Sequence, residues 1–121
     1  MAAVKANWEK FVNGTTPIPQ RLALLQDGSR FASFVHSQES TALGALVFST
    51  SAKVTSVTLG PAGRASVTFR VFLSGKALPG NLHGTAVYSG GIWRVSDTTF
   101  CVLLRMAYGK KSHLIAPLCG G

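Results

Sequence analysis

The acidic inventory of the chain is four residues, Glu9, Asp27, Glu39 and Asp97. An acid/base enzyme built around a cavity needs a carboxylate, His or Tyr directed into it. Each of the four has a plainer use. Glu9 lies off the apolar face of the first predicted helix, and Glu39 falls in a polar loop. Asp27 precedes a glycine that ends the second helix, and Asp97 stands at a helix start. Asp97 with Tyr88 is the one pair that can be nominated for proton abstraction beside a carbonyl, and the sequence does not favour it. The catalytic assignment is therefore none. His36, His83 and His113 lie far apart and show no HxH, HxxxH or HExxH spacing, so no metal site is expected. No GxSxG, GxGxxG or Walker loop occurs, and no cofactor is implied.

The aromatic residues carry more interest. Trp8, Phe11, Phe31, Phe34, Phe69, Tyr88 and Trp93 would stand between the helices and a concave sheet. There they either fill a core or line the mouth of a pocket for a small apolar ligand. Phe72 interrupts the polar side of its strand and suggests a second apolar patch, suited to a homodimer face or a partner surface.

The elements that position these residues follow from periodicity. Val4, Trp8, Phe11 and Val12 share one face of a helix over 3–13, which Asn13-Gly14 stops. Thr15-Thr16-Pro17 offers a capping hydroxyl and a first-turn proline to a second helix, with Ile18, Leu22 and Leu25 on one face. Ser29 can cap a third, holding Phe31, Phe34 and Val35. The run 42–48 is too short and too apolar for periodicity to decide.

From residue 52 the period becomes two. A strand over 54–59 ends at Gly60-Pro61-Ala62-Gly63, and Ala65, Val67, Phe69, Val71 and Leu73 mark the buried side of the clearest strand. After a loop at 74–80, a strand over 82–89 turns at Gly90-Gly91 into 92–95. Ser96 or Asp97 can cap a last helix over 98–107, ended by Gly109, and 109–121 is an extended tail. The expected fold is one α+β domain over 1–121. Its N-terminal helices pack on a curved antiparallel sheet, a cystatin-like or nuclear-transport-factor-like cone, and a short C-terminal helix follows. Strands do not alternate with helices, which excludes a doubly wound fold.

Composition supports a real core. Hydrophobic residues are 46 % of 121 and charged residues 13 %, too apolar for a disordered chain. Twelve Lys and Arg against four acids give a formal charge of +8. That balance favours anionic surfaces such as envelope polymers. The cations are scattered singly, apart from Lys110-Lys111, so a nucleic-acid stripe is not expected. No run approaches the roughly 18 apolar residues of a membrane span. The first residues are not a signal peptide, so the chain is read as cytosolic or as the mature part of an exported protein. Cys101 and Cys119 lie outside any CxxC pair. Their spacing leaves two readings open: a disulfide worth about 3 kcal/mol, or free thiols with Cys101 as a small buried hydrophobe.

Residues 84–104, Gly-Thr-Ala-Val-Tyr-Ser-Gly-Gly-Ile-Trp-Arg-Val-Ser-Asp-Thr-Thr-Phe-Cys-Val-Leu-Leu, have a family look. A strand with Val87, a hairpin at Gly90-Gly91, Trp93, Val95-Ser96 and a helix reaching Leu103-Leu104 resemble the actinobacterial low-molecular-weight secreted antigen family, known from mycobacteria. The segments Asn7-Trp8-Glu9-Lys10-Phe11 and Leu24-Leu25-Gln26-Asp27-Gly28 are similar to relatives of the same group. The resemblance covers roughly 3–107 and implies an exported or lipid-anchored domain of the cone kind, with no activity that transfers by residue. It also implies that Cys101 and Cys119 are paired. The function expected is thus a non-enzymatic, secreted or cell-envelope binding domain for a small apolar ligand or an envelope component. Its rivals are an acid/base enzyme in the cone pocket and a basic nucleic-acid binder.

Overall fold

The computed structural model describes residues 2–109 and 113–119. Four helices come first: α1 (Ala2–Val12), α2 (Ile18–Ala23), α3 (Gly28–Gln38) and α4 (Ala42–Val47). Five strands follow, β1 (Ser51–Leu59), β2 (Arg64–Leu73), β3 (Lys76–Ala77), β4 (Leu82–Ser89) and β5 (Ile92–Val95), then α5 (Asp97–Tyr108) and α6 (Ala116–Cys119). The strands pair antiparallel in the order β1-β2-β4-β5, with β3 on the same edge of β2 as β4. The sheet curls as a half-barrel, and a register shift in β1 between Val54 and Ser56 adds to the bend. The fold is α+β, as the grouping of helices ahead of a meander requires.

Alternation dictates β2. Ala65, Val67, Phe69 and Val71 are buried on the concave side, while Ser66, Thr68 and Arg70 face away. Val4, Trp8 and Phe11 of α1 press into that concavity, with Phe31 and Val35 of α3 and Phe100 and Leu104 of α5. The Trp8 ring meets Phe69 at 5.1 Å, and Phe100 lies edge-on to both Phe11 and Phe31 at 5.6 and 5.0 Å. This approach needs a glycine in mid-strand. A Cβ on Gly84 of β4 would stand 2.9 Å from the Trp8 ring and 2.6 Å from Thr99 Cγ2.

Several local expectations are corrected. Thr16 does not cap α2, whose N-cap is Pro17 with no side-chain bond. Thr15 instead closes a small turn on Asn13 Oδ1 through both its amide and its hydroxyl. Helix α2 stops at Ala23. Leu25 is buried from an extended segment bridged to Val95, with Gln26 N–H donating to Val95 O at 2.8 Å and Val95 N–H to Leu24 O at 2.8 Å. That segment covers the outer edge of β5. Gly28 opens α3 rather than ending α2, because Asp27 takes the left-handed conformation at φ 56°. The ambiguous run 42–48 is helical over 42–47, capped by Thr41, whose Oγ1 accepts from Gly44 N–H at 2.8 Å. Ser96 caps α5.

The tail expected to be extended folds back where it is described. Cys101 and Cys119 form a disulfide, and Ile115 is buried against the core. Arg105 Nη2 donates to Cys119 O at 2.7 Å and Arg30 Nη1 to Leu118 O at 2.6 Å. Lys110 and Lys111 lie outside the described residues.

Candidate functional site

The nominated aromatic pocket is not a pocket. Trp8, Phe31 and Phe69 are at most 1 % exposed and pack on one another or on Phe100. Phe34 is buried edge-on to Tyr108 at 5.5 Å. Trp93 is buried, and Tyr88 is 54 % exposed, its ring 5.3 Å from Trp93 at the hairpin end of the sheet. Trp8, Phe31, Phe34, Phe69 and Trp93, with Phe100, leave the small cone filled. Of the seven, Phe11 lines a cavity, and that cavity lies elsewhere.

The nominated Asp97–Tyr88 pair is not brought together by any contact either. Asp97 faces Arg30 at 3.4 Å, and Tyr88 packs on Trp93. His36 sits 3.7 Å from Glu39, and His83 Nδ1 lies 3.2 Å from Thr68 Oγ1. Among the described residues no group of three metal-ligating side chains assembles.

The cavity, of about 330 Å³, lies beside the filled core, between α1, α2, α4, α5 and the far end of β2. Phe11 and Val12 come from the last turn of α1, and Ile18, Arg21 and Leu22 from α2. Helix α4 with its cap adds Leu43, Leu46, Val47 and Phe48, and α5 adds Phe100, Leu103 and Met106. Val71 and Leu73 close the sheet side. The walls are almost entirely apolar. Leu43, Leu46, Leu78 and Met106 on its rim are each more than a third exposed, the last at 59 %. A helix apolar all round is normally buried; α4 instead has one flank over the cavity and Leu43 and Leu46 reaching solvent.

One charge belongs to this wall. Arg21 is 6 % exposed. Its Nε donates to Asn13 O at 3.0 Å and its Nη2 to both Asn13 O and Phe48 O, the latter at 2.9 Å. Those carbonyls end α1 and α4, where the helix dipole is negative, so the guanidinium holds two helix C-termini beside α2. Burial pushes the Arg21 guanidinium below its usual pKa.

A second polar anchor stands away from the cavity, between α1 and β1. Glu9 Oε2 accepts from Lys5 Nζ at 2.6 Å and from the Val54 amide at 2.8 Å, fixing β1 to α1. Burial alone would raise the Glu9 pKa. The hydrogen bonds from Lys5 and Val54 and the charges of Lys5 and Lys53 outweigh it and hold the carboxyl below its ordinary value. On the opposite flank Tyr108 Oη donates to Gln38 Oε1 at 3.0 Å, and burial raises the Tyr108 pKa.

Sequence reasoning missed Arg21, Leu43, Leu46, Leu103 and Met106 as cavity residues. One signal was present: Ile18, Arg21 and Leu22 stand at i, i+3 and i+4, which places a cation on the apolar face of α2.

Fold and site together define a small disulfide-closed α+β domain with a packed core and an apolar cavity at its side. The chain belongs to the family of the low molecular weight antigen MTB12, C-terminal domain, whose model matches residues 1–111. The mycobacterial antigen resemblance read from the hairpin and its flanking helix therefore stands. No curated protein matches the chain.

Proposed function

We propose that this domain is a non-enzymatic binding module that works outside the cytoplasm and holds a small apolar ligand in the cavity beneath α4. The observation that carries the reading is the cavity itself: about 330 Å³ of space walled by aliphatic and aromatic side chains and rimmed by exposed Leu43, Leu46 and Met106. Its volume falls at the lower end of the roughly 300–1,000 Å³ of ligand pockets. Supporting the absence of catalysis, all four carboxylates are outside the cavity wall, and no histidine lines it. Supporting an oxidising compartment, the two cysteines are joined. The charge of +8 favours residence near anionic envelope polymers.

The test is titration of the protein with the neutral fluorophore N-phenylnaphthylamine, followed by methyl NMR. Fluorescence should rise on binding. Methyl signals of Leu22, Leu46, Val71 and Leu103 should shift, and those of Val4 and Val67 in the filled core should stay. Shifts scattered over the surface, or none, would reject the reading.

A further inference from the structure

The cavity reading leaves the ligand's chemistry open, and Arg21 narrows it. A guanidinium carries five N–H donors. Those on Nε and Nη2 are used by the carbonyls of Asn13 and Phe48, and Nη1 makes no hydrogen bond among the described residues. Among the described residues no carboxylate pairs with the cation either. Glu9 is held by Lys5 and Val54, Asp97 faces Arg30, Glu39 faces His36, and Asp27 is exposed in the turn before α3. Two carbonyl dipoles hold this charge in place without cancelling it. A buried cation with spare donors, in a wall whose other described side chains are apolar except for Thr50, is matched by an anion attached to an apolar body.

We propose that the cavity takes a single acyl chain ending in a carboxylate, with the carboxylate on Arg21 Nη1 and the chain among Leu22, Phe48, Val71 and Leu103. The assignment rests on the cavity reading above. A carboxylate suits the site better than a phosphate: one half-used cation meets one negative charge, and among the described residues no second cation lines the wall. Size agrees. At about 30 Å³ per water-sized group, the cavity holds on the order of eleven heavy atoms, a medium-length acyl acid. The apolar rim of Leu43, Leu46, Leu78 and Met106 lets a longer tail continue toward solvent without meeting polar groups.

The experiment compares laurate with dodecanol, its uncharged counterpart, on the unaltered protein by calorimetry, and follows carboxyl-labelled laurate by carbon NMR. Laurate should bind at least tenfold tighter than dodecanol. Its bound carboxyl should titrate below the free acid, because a cation beside it favours the charged form. The Arg21→Lys variant, which keeps the charge, should retain part of the preference. Equal binding of the two, or a bound carboxyl that titrates as in water, overturns the carboxylate assignment and leaves the apolar cavity standing. Binding of neither overturns both.

Discussion

Arg21 Nη2 lies 2.9 Å from the carbonyl oxygen of Phe48, the C-cap residue of α4, across 27 positions of sequence. The same guanidinium also binds the carbonyl of Asn13, just past the end of α1. One side chain thus ties three helices around the cavity. Arg21→Met keeps the apolar stem and removes the donors, leaving the half-buried Phe48 carbonyl without its partner while Asn13 O keeps the Thr16 amide at 3.0 Å. A loss of about 1–3 kcal/mol is expected in urea unfolding, and Arg21→Lys should lose less. If Arg21→Met unfolded at the wild-type midpoint, the guanidinium would not be what fastens α4.

Glu9 performs a comparable task at the open edge of the sheet, and there the consequence is a pH dependence. Its folded pKa lies below the ordinary carboxyl value of 4.5. The unfolded chain therefore takes up a proton first as pH falls, and the stabilisation present above the ordinary value is lost as pH drops through the folded one. Glu9→Gln removes that titration while keeping an acceptor for the Val54 amide. The stability gap between wild type and Glu9→Gln should be full well above the ordinary carboxyl value and shrink as pH falls below it. A gap that stayed constant as pH fell would assign Glu9 no charged role.

The contrast between Arg21 and the aromatic residues shows what was legible in the sequence. Period-two alternation placed Ala65, Val67, Phe69 and Val71 on the concave side of β2, and helical spacing placed Val4, Trp8 and Phe11 against them. Alternation reports which way a side chain faces. It does not report whether the space it faces is occupied, since that depends on how far Trp8 sinks over Gly84 and how Phe100 wedges between Phe11 and Phe31. Tyr88 apart, which is exposed, the aromatic residues were therefore legible as inward-facing and illegible as filler. Helix α4 was hidden for a related reason. Its residues are apolar on every side, so no stripe marks a direction, and only the capping of Gly44 by Thr41 fixes its start. The disulfide came from family likeness; spacing alone left it undecided.

That disulfide has a measurable weight. Cys101 and Cys119 are 18 residues apart, and a closed loop of that length restricts the unfolded chain by about 3 kcal/mol. Its loss also frees the segment that inserts Ile115 into the core. Reduction should lower the thermal midpoint and raise amide exchange at 113–119, while exchange in β2 changes in step with global stability alone. Unchanged exchange at Ile115 after reduction would mean that packing and the Arg105 contact, not the covalent link, hold the segment.

The difference between filled cone and open cavity can be tested on a single strand. Val67 and Val71 both point inward from β2 and both are buried. Val67 sits in the occupied core, whereas Val71 faces the cavity. Enlarging Val67 to Phe must displace close-packed neighbours, at a cost of about 1–3 kcal/mol. Enlarging Val71 to Phe puts the added ring into vacant apolar space, so its stability should match or exceed wild type. The same variant should weaken binding of an apolar probe at least severalfold, because the ring occupies the volume the probe would take. Equal destabilisation by both substitutions would show that the cavity closes up in solution, and the binding role built on it would fall.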